Sequence, residues 1–140
     1  MKSIFYKGGY KYQLSKEYIV DINIKPSEDI DVFYIKLTTS GKLTIKKGYA
    51  WDGPSGPTFD TKNFMRGSLV HDALYQLMRG DNIDKATYRK PADKLLRKMC
   101  REDGMSYIRA LWVYKAVHHF GNPSADPSHK KPVIEAPELD

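Results

Sequence analysis

The chain has 140 residues, with 23 Lys plus Arg against 17 Asp plus Glu, a formal net charge of +6, and one cysteine, Cys100. A chain of this length buries about two-thirds of its unfolded surface, so one core needs no covalent staples, and a lone cysteine excludes an internal disulfide scaffold. No apolar run approaches the ~18 residues of a membrane span, and the moderate positive excess admits anionic partners without demanding them.

The stretch Met1 to Tyr10 is too poor in apolar residues for a signal peptide, so the expectation is a soluble protein of a reducing compartment. The first fifty residues read as strands and turns. Tyr18-Ile-Val-Asp-Ile-Asn-Ile24 alternates, and Val32-Phe-Tyr-Ile-Lys-Leu37 is rich in β-branched and aromatic residues. Thr38-Thr-Ser-Gly41 is a turn signal, and Leu43-Thr-Ile45 begins another strand. Trp51-Asp-Gly-Pro-Ser-Gly-Pro57 holds two glycines and two prolines, which exclude a regular helix or a central strand.

Beyond it the period changes. Thr61 or Asn63 can cap a helix running to about Arg79, stopped by Gly80. Thr87 can cap a second, with Pro91 near its first turn, ending near Asp103-Gly104. Ser106 to Phe120 makes a third, closed by Gly121 and Pro123. The remaining residues hold four prolines and no periodicity. The expected fold is α+β: a small antiparallel sheet from the N-terminal half packed against three α-helices. One domain spans 1–121, and 122–140 form a Pro-rich surface tail or a disordered one.

On the first helix Leu69, Val70, Ala73, Leu74, Leu77 and Met78 form a core stripe. Phe64, Ser68, His71, Asp72 and Tyr75 gather on the other side, where a solvated face would carry Lys, Glu and Gln. An imidazole, a carboxylate, a phenol and a hydroxyl together suggest the wall of a pocket. His71 can serve as a general base or as a metal ligand. Asp72 projects about 100° away from it, so the adjacent pair does not bond within itself. The plainer alternative is a set of hydrogen bonds tying this helix to a loop.

On the second helix Lys90, Lys94, Arg97, Lys98 and Arg101 form a stripe opposite Ala92, Leu95, Leu96 and Met99. With no exposed stacking aromatics assignable, this stripe reads as a solvated face rather than a nucleic-acid surface. Arg89 and Asp93 are an i, i+4 pair at the edge of the apolar side. Asp93 either pairs with Arg89 alone or reaches the first helix and orients His71. Cys100 reads as a small apolar packer. The third helix is expected to pack Ile108, Leu111, Trp112 and Val117, with Tyr114 at its margin. His118-His119 lacks the spacing that presents two imidazoles to one metal; one of them can contribute to a site, but stabilisation of the helix C-terminus is the commoner role.

Gly48-Tyr-Ala-Trp-Asp-Gly-Pro-Ser-Gly-Pro57, His71-Asp-Ala-Leu-Tyr75, Arg89-Lys-Pro-Ala-Asp93 and Tyr114-Lys-Ala-Val-His-His-Phe-Gly121 occur in the order of one family. Over about residues 48 to 121 the chain resembles the small phage and bacterial proteins of domain-of-unknown-function family 1353. The resemblance implies that Trp51, Asp52, Gly53, Ser55, His71, Asp72, Tyr75, Arg89 and Asp93 are signature positions. It also implies a phage or prophage origin, hence a bacterial host cytoplasm or a virion. His71-Asp72-x-x-Tyr75 is, more loosely, similar to the His-Asp-x-x-Tyr helix of secreted phospholipases A2. In those enzymes the His is the base for water, the Asp binds calcium, and a distant Asp steadies the His. That likeness would give His71 and Asp72 the first two roles and Asp93 the third. The chain departs from it in lacking the paired cysteines and the Cys-containing glycine-rich calcium loop, for which 51–57 would have to substitute.

Two expectations follow. In the first the protein is a metal-assisted hydrolase. His71 and Asp72 are catalytic, Asp93 orients His71, and Asp52, Asp72 and His71 hold a divalent cation. Trp51, Ser55, Tyr75 and Arg89 then contact substrate, with Arg89 on an anionic group. In the second it is a non-enzymatic phage accessory protein, a virion component or a binder of a host factor or small ligand, and the same residues form a buried network.

Overall fold

The computed structural model describes residues 3–8, 12–51 and 61–120. Seven short strands fill the first part of these: β1 (Tyr6–Lys7), β2 (Tyr12–Leu14), β3 (Tyr18–Asp21), β4 (Ile30–Val32), β5 (Ile35–Leu37), β6 (Lys42–Ile45) and β7 (Ala50–Trp51). Three helices follow: α1 (Lys62–Arg79), α2 (Lys85–Glu102) and α3 (Tyr107–Phe120). The fold is α+β. The antiparallel half is divided between two sheets rather than gathered in one, in the orders β1-β2-β7 and β3-β6-β5-β4. No described helix is long and apolar enough to cross a membrane.

The run from Val32 to Leu37, expected as one strand, is a hairpin. Phe33 and Tyr34 form its two-residue turn, with Phe33 at φ +42°. The turn leaves the rings of Phe33 and Tyr34 in solvent and pairs Val32 with Ile35 and Ile30 with Leu37. Those pairs bury the apolar side chains, and a continuous strand would split them between two faces. Ile35 and Leu37 sit opposite Ile45 and Leu43 of β6, and all four are fully buried. Their face joins Leu14, Tyr18 and Ile24 to Leu69, Leu74 and Leu77 of α1 in one apolar core.

Three of the helix ends have an identifiable cause in local hydrogen bonds, and the start of α1 differs from them. Thr61 occupies the start of α1 without a side-chain cap; its hydroxyl instead donates to Asn63 Oδ1 at 2.6 Å. At the other end Asp81, not Gly80, takes the left-handed conformation, with φ +57°. The amide of Asp81 then reaches Met78 O at 3.1 Å and that of Asn82 reaches Leu77 O at 2.8 Å, which is the Schellman pattern. The second helix starts at Lys85, ahead of the expected Thr87. The reason is Asp84, whose Oδ2 accepts from the Thr87 amide at 2.9 Å and the Thr87 hydroxyl at 2.5 Å. Pro91 therefore lies inside the helix rather than in its first turn, removing one backbone donor. Ser106 caps α3 by accepting from Arg109 N at 3.2 Å.

The third helix is rotated from its expected phase. Ala110 and Val113 are buried, with Val117 beside them, whereas Ile108 is 80% exposed and Trp112 46%. The buried residues are the smaller ones. They meet Phe64, Leu96, Cys100 and Met105 in a second cluster, where side-chain size limits how closely the helices approach.

Buried Arg66 ties the elements together. Its Nε donates to Asp103 at 2.9 Å, Nη1 to the Tyr18 hydroxyl at 3.0 Å, and Nη2 to Glu102 at 3.2 Å. Burial alone would lower the basicity of this guanidinium, but bonds to Asp103 and Tyr18 raise it above its ordinary value. Burial pushes the Tyr18 phenol up as well, so it remains a neutral partner.

The helices α1 and α2 cross at Gly67, where an added Cβ would stand 2.9 Å from Leu96 Cδ1 and 3.1 Å from Cys100 Sγ. Overpacking of about 1–3 kcal/mol outweighs a helix-propensity gain of up to about 1 kcal/mol. Gly67→Ala is expected to destabilise the fold by about 1–2 kcal/mol in urea unfolding.

Candidate functional site

The Asp93 carboxylate on α2 is fully buried, at 0% exposure, and is held from two neighbouring helices. From α1, His71 Nε2 lies 2.7 Å from its Oδ1, and the Tyr75 hydroxyl donates to the same oxygen at 2.6 Å. From α3, His118 Nδ1 lies 3.1 Å from Oδ2. Asp93 thus reaches the first helix, and its i, i+4 contact with Arg89 is the longest of the set at 4.0 Å. Arg89 instead donates from Nη1 to the His118 carbonyl at 2.7 Å, adding a second tie between α2 and α3.

This geometry follows from helical spacing. His71 and Tyr75 are one turn apart, and their rings lie 4.1 Å apart at 36°. Tyr114 and His118 repeat the spacing on α3, with rings stacked at 5.6 Å and 8°. Phe64, Ser68, His71 and Tyr75 are all buried, so the second face of α1 packs against its neighbours rather than standing open as a pocket wall. Asp72 is half-buried, and no contact between it and Asp93 forms part of this set.

Protonation states follow from the bonds. Burial alone would raise the Asp93 carboxyl, but hydrogen bonds from His71 and Tyr75, with the His71 charge and His118, hold it below the usual carboxylate value. Burial first, and then the adjacent carboxylate, raise the Tyr75 phenol, so Tyr75 stays a donor. An ionised Asp93 accepts from N–H, so the tautomer that fits it carries a proton on His71 Nε2 and on His118 Nδ1. The lone pairs then sit on His71 Nδ1 and His118 Nε2. Among the described residues His71 Nδ1 has no hydrogen-bond partner. His71 is 8% exposed, and the His118 side chain is 37% exposed.

An open groove of about 860 Å³ runs along this end of α3, lined by Arg89, Trp112, Tyr114, Lys115, His118 and His119. Trp51 stands elsewhere. It is buried at the end of β7 against Tyr6 and Tyr12, and its Nε1 donates to Ser68 Oγ at 3.1 Å. The chain is thereby anchored on α1 one turn before His71. Asp52, Gly53 and Ser55 lie outside the described residues, and no group of three or more His, Cys, Asp or Glu able to hold a metal occurs among the described ones. Cys100 is fully buried and burial pushes its thiol up to about 12, which suits packing and not nucleophilic attack.

Sequence reasoning missed His118 as a partner of Asp93. The usable signal was its i+4 relation to Tyr114, hidden by the mistaken phase of α3.

A family model described as "Protein of unknown function (DUF1353)" matches residues 29–117. The chain belongs to this family. The match takes in β4 to β7, all of α1 and α2 and most of α3, and ends one residue before His118. No curated protein matches the chain, and no solved structure does.

The depressed Asp93 sets a pH dependence. Its stabilising effect is complete above the unfolded carboxylate value, 3.8, and is lost as pH falls through that value to the lower native one. Wild type is expected to exceed Asp93→Asn in unfolding free energy at neutral pH. The gap should shrink between about pH 5 and pH 2, as read by urea unfolding at several pH values.

Proposed function

We propose that this family member is a hydrolase in which His71, set by Asp93, takes a proton from water through Nδ1. The observation that carries the reading is the division of labour on one ring. Nε2 is held at 2.7 Å by a fully buried carboxylate, and Nδ1 has no partner among the described residues. A buried histidine with only a structural role would commonly satisfy both nitrogens.

In the proposed reaction His71 Nδ1 removes a proton from water as its oxygen bonds to the carbonyl or phosphoryl centre of an ester. Asp93 stabilises the imidazolium that forms, and the same proton then passes to the departing alkoxide. Arg89 fits an anionic substrate group: it lines the groove, and one of its nitrogens is already fixed by the His118 carbonyl. The role of Asp93 is the one implied by the similarity to the phospholipase A2 helix. A divalent cation on Asp52, Asp72 and His71 would need ligands beyond the described residues. The steps here therefore run through His71 and Asp93 alone. A phage or prophage origin, with work in the host cytoplasm or virion, is the setting that the family resemblance supports.

Complete burial of Asp93 and near-complete burial of Tyr75 favour the second reading, a non-enzymatic phage accessory protein locked by a polar network. His71→Gln separates the two. A glutamine can still donate an N–H toward Asp93 but carries no basic nitrogen. Under the hydrolase reading it melts within a few degrees of wild type and loses about 100-fold or more in kcat/KM. The assay uses nitrophenyl carboxylic and phosphoric esters. No turnover by wild type, or equal turnover by His71→Gln, would sink the hydrolase reading in favour of the network.

A further inference from the structure

The phase of α3 leaves two large apolar side chains in solvent, on a stripe they share with polar residues. Ile108, Trp112, Lys115 and His119 follow one another at helical spacing, and all four are exposed. Ile108 is 80% exposed, Tyr107 beside it 58%, and Trp112 46%. On α2 the outward positions are Lys90, Lys94, Lys98 and Arg101. Arg97 bridges the two helices, its guanidinium 5.1 Å from the Tyr107 ring centre and 6.0 Å from that of Tyr114. The result is one continuous face, with exposed isoleucine and tryptophan on one flank and cations on the other.

Charge selects an anionic partner, and the rings select its kind. A single-stranded nucleic acid needs open aromatic faces for successive bases. Arg97 lies over the Tyr107 ring, and Tyr114 is stacked on His118 with Arg97 beyond. Trp112 has no ring partner among the described residues, and one ring does not make a stacking platform. Ile108, the more exposed of the two apolar residues, can neither stack on a base nor bond a phosphate. It gains by leaving water for hydrocarbon. Tryptophan and tyrosine suit the headgroup boundary, and basic residues beside them suit lipid phosphates.

We propose that the outer face of α2 and α3 docks on an anionic lipid bilayer. Ile108 and Trp112 enter the boundary between headgroups and acyl chains, while Lys94, Lys98, Arg101 and Lys115 lie over the phosphates. This surface shares Trp112 and Lys115 with the groove that Arg89 lines, but none of the five residues of α2 and α3 that it relies on for charge and Trp insertion bonds to Asp93.

The full chain is mixed with vesicles of phosphatidylglycerol and phosphatidylcholine in equal amounts, with phosphatidylcholine vesicles, and with a single-stranded oligonucleotide. Sedimentation and Trp emission are read, with circular dichroism confirming the fold of each variant. Wild type is expected to bind the anionic vesicles alone, with a blue shift that Trp112→Phe abolishes while buried Trp51 stays unchanged. Lys94→Glu with Lys98→Glu reverses four charge units and should cut binding by about 100-fold or more, at roughly fivefold per unit. Ile108→Ser with Trp112→Ser should cut it by about tenfold or more. Equal binding to both vesicle types, wild-type binding by the Ile108/Trp112 variant, or binding of the oligonucleotide without the vesicles would each overturn the proposal.

Discussion

A carboxylate with no contact to water must find donors, and Asp93 finds three. An unpaired charge at that depth would cost several kcal/mol, so the helices are stable only in arrangements that supply those donors. Apolar packing between α1, α2 and α3 is non-directional and tolerates small rotations. Hydrogen bonds of 2.6 and 2.7 Å do not. Each carboxylate oxygen holds a different helix. Oδ1 sets α1 against α2, and Oδ2 sets α3 against α2. One acid thereby specifies the register of the whole helical layer.

Arg66 solves the opposite problem with a different economy of atoms. Its guanidinium is buried and engaged with Asp103, Glu102 and Tyr18, so it joins β3 to the end of α2 through groups that have little else to offer. Around Asp93 two of the three partners are imidazoles, each with a second nitrogen beyond the bond that holds it. The contrast is why the two buried charges are read differently. A salt-bridged cation fixes a shape, whereas a carboxylate with two imidazoles fixes a tautomer and so a proton-accepting atom.

The sequence makes the fold class and the three helices legible because long periodic segments with Gly, Asp and Ser at their ends carry their own signals. His71 and Tyr75 stand out because an imidazole and a phenol occupy the side of α1 where a solvated face would carry Lys, Glu and Gln, and Asp93 because it sits at the edge of the apolar side of α2. What was hidden depended on choices between local solutions. Asp84 outcompeted Thr87 as a cap because its carboxylate reaches both the amide and the hydroxyl of Thr87. Phe33 and Tyr34 have strong strand preference, yet they form a turn because pairing Val32 with Ile35 buries more than extending the strand would. The phase of α3 misled most. Hydrophobicity ranks Ile108 and Trp112 above Ala110, but a crowded helix contact selects for small size, and Ala110 and Val113 took the inner face. His118 follows Val113 and Tyr114 around to α2, and its meeting with Asp93 is a consequence of that rotation.

Adjacent residues on α2 show why net charge is a poor guide to such a site. Asp93 is wholly buried and Lys94 is exposed, although they are neighbours in the chain. Residues 85–101 hold seven cations and this single acid, which by count should create a positive region. Cations in water act over about a Debye length of 8–10 Å, and solvent weakens them at each step. The acid acts through contacts of about 3 Å or less, with little water to screen it. The potential felt by the His71 ring is therefore set mainly by the one buried carboxylate and little by exposed cations such as Lys94 and Lys98, because proximity in a dry site outweighs number.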